Sequence, residues 1–339
     1  MTKKIKTLAR KIDEAYDARD THALTQLIQE CERLLDKSGV HKVAIWFLIS
    51  NCHAGKAQEE QMRKGSRWSW KQDHLVRQVL SLRRAVVEPS FNLADKVLRC
   101  KILTNLANVL NSLGRPIEAI KYWDQTLDIC PIFAMALGNK GYGITTYAHS
   151  LYDHGHAALL ISKANEELIK LESGKSLWDS GPQPQAQEFF SSIARDNEAR
   201  LEAISFDHNL DLDAFSLGKT KGEKAYRRWC LDNGLFLSPL NDVVNASVAA
   251  SDVIHLPDHT YDVSEHPRFA DYYNLLKQEY VSARFMLYEA VQRKPHFANK
   301  DVLLWDGLDA ASYGLKTEQL KTSFRVSYSL LDKVAVFLN

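Results

Sequence analysis

The chain has 339 residues, 45% of them hydrophobic, with a formal net charge of +1. This balance excludes a uniformly basic nucleic-acid binder but leaves room for a local basic patch. The length fits two domains, or one helical array with a packed end domain.

Five cysteines, Cys31, Cys52, Cys100, Cys130 and Cys230, are scattered without a CxxC pair. This points to a reducing compartment and against a thiolate metal site; no cofactor is expected. The first residues are charged and amphipathic rather than signal-like, and no stretch approaches the roughly 18 apolar residues of a membrane span. A soluble, cytoplasmic protein with no membrane contact is expected.

In chain order, residues 3–18 predict a helix with Ile5, Leu8, Ile12 and Ala15 on one side. Asp20 or Thr21 can cap the next helix, which runs to about Lys37 with Leu24, Leu27, Ile28, Cys31 and Leu34 or Leu35 inward. Residues 43–54, VAIWFLISNCHA, are too apolar to face water on both sides and are read as a buried helix, although periodicity alone does not separate it from a strand. Short helices in pairs predict a solenoid.

The segment 60–84 differs in character. It carries Arg63, Lys64, Arg67, Lys71, Arg77, Arg83 and Arg84 around Trp68 and Trp70, with Asp73 as its one aspartate. Basic groups mixed with aromatics can bind phosphate and stack bases, which makes Arg63, Lys64, Arg67, Trp68, Trp70 and Lys71 nucleic-acid-binding candidates. The plainer reading is a solvated helix face with two Trp anchoring an insertion in the array.

Residues 100–133, CKILTNLANVLNSLGRPIEAIKYWDQTLDICPIF, resemble a tetratricopeptide repeat. Leu106 and Ala107 take the first-helix positions, Gly114 the turn, and Ala119, Trp123 and Leu127 the second helix. Pro131 ends the unit, and Thr126 replaces the usual Ala. The next unit starts at Ala134, where Asn139 and Gly141 fit the pattern. Its turn, 150–156, is longer than ideal, and its second helix spans 157–172. Nearby His149, Asp153, His154 and His156 read either as a metal cluster or, more plainly, as a polar turn.

Residues 173–187 are rich in Ser, Gly and Pro and read as a linker. They suggest a repeat domain at 1–180 and a second helical domain at 181–339, beginning with a helix at 186–204. Residues 244–270 read as irregular chain containing His255, His259 and His266, each more plainly a core or loop histidine. A helix at 301–314 and a final helix from Gln319 follow. Tyr272–Arg293 forms a long helix with Leu276, Tyr280, Ala283, Leu287 and Val291 along one face, and the last helix has a stripe of Phe324, Tyr328, Leu331, Ala335 and Leu338. Charged groups close to such seams must pair or serve a site.

The runs YRRWCLDNGLFLSPLND (226–242), DVIHLP (252–257), KQEYVSARFMLYEA (277–290) and FRVSYSLLDKVAVFLN (324–339) resemble the HEPN-domain proteins that carry tetratricopeptide repeats in front. The resemblance implies an all-α chain: a tetratricopeptide-like helical repeat array followed by a HEPN-like helical bundle. It implies a part in a metal-independent RNA endonuclease of bacterial toxin–antitoxin or phage-defence systems, with repeats that sense a partner or trigger. RNA, a protein or peptide on the repeats, and a second copy forming a homodimer are the implied partners.

HEPN ribonucleases place an Arg and, roughly four to six residues on, a His in a late helix; His moves the proton and Arg meets the phosphate. No such pair stands in the bundle here. Arg293 meets His296 too soon, and Arg67 with His74 lies in the repeat half. The helical pattern runs to Asn339 without a C-cap, so a bundle incomplete at its C-terminus is expected, either with a catalytic helix beyond it or as a shortened member that never had one. The catalytic residues are therefore unassigned, and Lys277, Glu279, Arg284, Arg325, Asp332 and Lys333 are supporting polar candidates. Their plainer role is register: Arg284 or Lys277 pairing with Asp332 or Glu279. A non-catalytic interaction scaffold with a degenerate HEPN module is the alternative. A nucleotide-linked role, with Tyr280, Tyr288, Tyr313 or Tyr328 as acceptors, is a third reading.

Overall fold

The computed structural model describes residues 3–35, 41–64, 72–172, 176–178, 181, 183–257, 260, 268–294, 296–300, 302 and 313–337. Among these residues lie twelve α-helices and a few 3-10 turns, with no strand beyond an isolated bridge between Phe133 and Leu177. The chain is all-α. It divides into two compact units, Met1–Leu210 and Asp211–Asn339. No described helix is long and apolar enough to cross a membrane.

The first unit is a row of antiparallel hairpins. α1 (Lys3–Asp17) buries Ile5, Leu8, Ile12 and Ala15, the residues its spacing predicts. Asp20 caps α2 (Thr21–Leu35), its carboxylate accepting from the backbone N–H of His22 and Ala23. α3 (Lys42–Lys64) is helical and runs past residue 54. Gly55 does not break it because the rings and methyls of Tyr16 and Leu24 fill the space: a Cβ there would lie 2.8 Å from Tyr16 and 2.9 Å from Leu24. α4 (Asp73–Val87) completes that hairpin, with the Arg84 guanidinium 4.8 Å from the Trp46 ring centroid. Arg63 and Lys64 fall in the last turn of α3, but their side chains lie outside the described residues. Arg67, Trp68, Trp70 and Lys71 lie outside them altogether.

α5 (Lys96–Ser112) and α6 (Pro116–Ile129) form the hairpin that carries the repeat resemblance. Gly114 has φ +74 and makes the turn between them. Leu106, Ala107, Ala119 and Trp123 are fully or almost fully buried. Thr126, where Ala is usual, is accommodated because its hydroxyl donates back to the Tyr122 carbonyl at 3.0 Å. The Trp123 indole N–H donates to Asn108 at 3.0 Å, so its polar edge is satisfied.

α7 (Ala134–Ala148) is the packing centre of the later repeats. Its glycines receive side chains from several helices. A Cβ on Gly143 would fall 2.5 Å from the Trp123 ring of α6. One on Gly141 would fall 2.6 Å from Leu168, and one on Gly138 2.3 Å from Phe190. Leu168 belongs to α8 (His154–Glu172) and Phe190 to α9 (Pro184–Ala203). Lys140 of α7 bridges Asp124 of α6 at 2.7 Å and Glu167 of α8 at 2.9 Å. Burial works against the Lys140 charge, but the two carboxylates outweigh it and hold its pKa above the usual value. α9 packs on this hairpin through buried Phe190, Ala194 and Leu201, and Asn197 donates to Thr145 at 2.9 Å. The first unit therefore runs through α9 and past the Ser/Gly/Pro-rich stretch before it.

The turn before α8 is shorter than the sequence predicts. Asp153 caps the helix by accepting from the backbone N–H of His156 at 2.7 Å, and His149 contacts Arg200 at 2.7 Å. The His149–His156 cluster is thus a helix start. Among the described residues, no group of three or more His, Cys, Asp or Glu side chains is placed to hold a metal ion.

The α7 glycines yield a direct test. Gly138→Val must push against the Phe190 ring. It should lower the stability of the repeat unit by about 1–3 kcal/mol in a denaturant melt, the usual cost of overpacking. An unchanged midpoint would show that the ring moves aside freely.

Candidate functional site

The second unit is built around one buried charge. α10 (Lys221–Asp232) starts at Thr220, whose hydroxyl accepts from the Glu223 N–H, while the Glu223 carboxylate accepts from the Lys219 N–H. After α10 the chain turns at Gly234, φ +63, and runs without regular structure through the residue-235 to residue-257 region, apart from a 3-10 turn at Ser247–Ala249. Side chains fix this stretch in place of a ladder. Asn241 accepts from the Phe236 N–H at 2.8 Å and donates to the Leu231 carbonyl at 3.1 Å. Arg227 donates to the Ala250 carbonyl.

α11 (Arg268–Gln292) lies against this stretch. Leu276, Ala283 and Ala290 are buried on its apolar face. Arg284, only 5% exposed, is buried beside them. Its guanidinium makes a two-pronged pair with Asp252 at 2.7 and 2.8 Å, and donates to Tyr226 at 3.0 Å and to the Leu235 carbonyl at 2.8 Å. The rings of Phe236, Tyr280 and Tyr226 stand 5.0, 5.7 and 5.8 Å from it. Asp252 also accepts from the Leu237 N–H at 2.8 Å. Burial opposes both charges. For Arg284 the hydrogen bonds to Asp252 and Tyr226 outweigh burial and raise its pKa; for Asp252 the bonds from Arg284 and Leu237 outweigh it and hold its carboxyl below the usual value. The other polar groups on this face are also engaged: Lys277 donates to the Ile254 carbonyl at 2.8 Å and Tyr280 to the Leu235 carbonyl at 2.9 Å.

α12 (Leu315–Phe337) packs against α11. The buried Ser323 hydroxyl donates to the Ala283 carbonyl at 2.8 Å, which requires close approach of the two backbones. Lys333 pairs with Glu279, at 2.6 Å to one oxygen. The contact face of α12 differs from the stripe its sequence suggests. Ser323 and Leu330 are buried, whereas Phe324, Tyr328 and Leu331 are 68%, 60% and 63% exposed. The hydroxyl of Ser323 and the ion pair of Lys333 hold the helix in a rotation that turns the larger apolar residues outward.

The supporting candidates therefore separate. Arg284, Lys277, Glu279 and Lys333 come together along α11, each with an internal partner. Arg284 takes Asp252 as its partner, in place of Asp332 or Glu279. Arg325 and Asp332 lie exposed on α12. Asp252 was missed as a partner because the charge pair spans an irregular stretch that has no periodicity; the DVIHLP run containing it is the signal that could have found it. His255 sits in the same stretch, while His259 and His266 lie outside the described residues, as does most of the helix expected at 301–314.

In the repeat unit, His74 does not stand alone. Its Nδ1 is 3.3 Å from Nδ1 of His53, one ring donating and the other accepting, and the rings are within 26° of parallel. Burial, then His74, Arg77 and Lys56, push the His53 pKa down to about 4. Burial also lowers His74. Arg67, its formal partner in an Arg–His pattern, lies outside the described residues.

Residues 260–339 match the family model for LA2681-like HEPN domains, which supports a HEPN domain in this segment of the chain. The matched segment contains α11 and α12, while Asp252, Leu235 and Tyr226 precede it. No curated protein and no solved structure matches the chain.

Two predictions follow from this geometry. Asp252→Asn leaves the Arg284 charge buried and should destabilise the second unit by about 3–5 kcal/mol in denaturant, whereas Lys333→Gln, at a partly exposed pair, should cost at most about 1 kcal/mol. Because the Asp252 pKa is depressed in the fold, its contribution is full above the unfolded value of about 4 and is lost as pH falls through the lower folded value. Equal small losses for both variants would contradict the buried pair. His53 has the same sign of dependence at higher pH. Its folded pKa lies below the unfolded value of about 6.5, so the repeat unit should lose stability between about pH 6.5 and 4 as the unfolded chain takes up the proton. His53→Gln should flatten that slope in melts across this range.

Proposed function

We propose that this HEPN-domain protein is the RNA-engaging and sensing part of a metal-independent RNA endonuclease of the toxin or phage-defence type. The match of residues 260–339 to the HEPN family carries this reading. The repeat unit is the element that responds to a protein or peptide trigger, and two copies act together as a homodimer. The basic segment with Arg63, Lys64, Arg67, Trp68, Trp70 and Lys71 is a second RNA contact, on the strength of its composition.

Metal-free cleavage through the ribose 2′-hydroxyl needs a group that accepts and returns a proton near neutral pH, and a cation at the phosphate. Three of the candidate cations are committed to internal partners: Arg284 of α11 to Asp252, Lys277 of α11 to a backbone carbonyl, and Lys333 of α12 to Glu279 of α11. These residues build the bundle, and Arg325, another of the candidates, is exposed on α12.

A second reading, a non-catalytic interaction scaffold, is favoured by the same observation, since a bundle whose charges are internally paired can serve as a docking body. One experiment separates the two. Purified chain is titrated with labelled single-stranded RNA at several salt concentrations in EDTA, and the RNA is then run on a denaturing gel. The proposed function expects binding that weakens with salt, with intact RNA. Cleavage by this chain alone would place the proton-transfer group within it. Absence of binding would leave the scaffold reading.

A further inference from the structure

α12 has a second face, opposite the one that meets α11. At about 3.6 residues per turn, Tyr328 lies near the middle of this face, with Phe324 and Leu331 on one side of it and Arg325 and Asp332 on the other. All five side chains are exposed. Arg325 and Asp332, two turns apart, make no hydrogen bond or ion pair with a described residue. Glu318 is bonded by Lys321 at 2.7 Å and feels Arg325 only through space. Lys321 and Arg325 stand against Glu318 and Asp332, so the face carries no net charge.

We propose that this face docks on a second copy of the chain: α12 pairs antiparallel with its counterpart about a two-fold axis beside Tyr328, and Arg325 of each copy bonds Asp332 of the other. The inference rests on the two-copy reading above and names the surface through which the copies meet. The pattern is complementary to itself. In an antiparallel helix pair, positions on the same side of the seam face one another. With the axis beside Tyr328, each Arg325 faces an Asp332, each Phe324 faces a Leu331, and the two Tyr328 rings meet at the centre. This is what an isologous contact requires. Other arrangements lose the match. Sliding one helix by two turns sets Arg325 against Arg325, or Asp332 against Asp332. A parallel pairing sets the charged side of one helix against the apolar side of the other. A polyanion gains nothing from a face whose charges balance, whereas a second copy engages both signs at once.

The test uses the full chain and measures the dimer dissociation constant by sedimentation over a range of concentrations, with far-UV circular dichroism to confirm that each variant folds. Arg325→Glu and Asp332→Arg, made singly, each set like charges across the axis and should weaken the dimer by about tenfold or more. The double variant Arg325→Glu/Asp332→Arg exchanges the two charges and remakes each pair in reverse. It should return to within about threefold of wild type. High salt should shrink the losses of the single variants. If wild-type protein dimerises and neither single variant weakens the dimer, the inference fails while the two-copy reading stands. The same holds if both single variants weaken it and the double variant does not recover, since the two charges then do not face each other. If wild-type protein is a monomer at every concentration, the two-copy reading fails and the inference with it.

Discussion

A guanidinium that is almost wholly buried must have its charge neutralised and its donors satisfied, and the second unit is arranged around meeting that demand for Arg284. Asp252 supplies the charge, Leu235 a carbonyl, Tyr226 a hydroxyl, and Phe236 and Tyr280 stand close enough for ring contacts. These groups come from α10, from the irregular stretch after it and from α11. The stretch has no ladder or helix to hold it, so the ion pair and the carbonyls it fixes take over that role. The desolvation cost of such a pair is large, so its contribution is better described as specifying one arrangement than as raising stability.

This geometry also sets what the HEPN segment requires. The matched residues begin after Asp252, yet α11 cannot bury Arg284 without it. Residues 211–257 are therefore part of the structural unit to which the matched segment belongs. The four sequence runs that resemble HEPN proteins are separated along the chain, and residues from the first three meet at this arginine: Tyr226 and Leu235, then Asp252, then Tyr280 and Arg284. Their joint occurrence has a physical cause.

Much of the fold was legible in the sequence. The faces of α1 and α2 and the hairpin of α5 and α6 follow from apolar spacing and from Gly114, because local periodicity and a left-handed turn are written in consecutive residues. The misread parts involve partners distant in sequence. The helix read at residues 43–54 continues to Lys64, past Gly55, whose empty side Tyr16 and Leu24 occupy. The outer stripe of α12 reads as core because Phe324, Tyr328 and Leu331 are larger than Ser323, yet a hydroxyl-to-carbonyl bond across the helix pair decides which side turns inward. Site residues fared similarly: the charged positions near the seam were visible, but Asp252 as the partner of Arg284 was not, since an irregular segment carries no period that predicts where its carboxylate will point.

The three glycines of α7 have a mechanical consequence. Trp123, Leu168 and Phe190 enter α7 from three different helices, and Lys140 clamps two of those helices as well. A helix keyed in this way cannot slide or roll relative to one neighbour without disturbing the others. The end of the array from α6 to α9 therefore behaves as a single stiff block, and a push delivered to any one of its helices is shared by all of them. A trigger that acts on this block would be transmitted as a rigid displacement, with little of it absorbed by bending between adjacent hairpins.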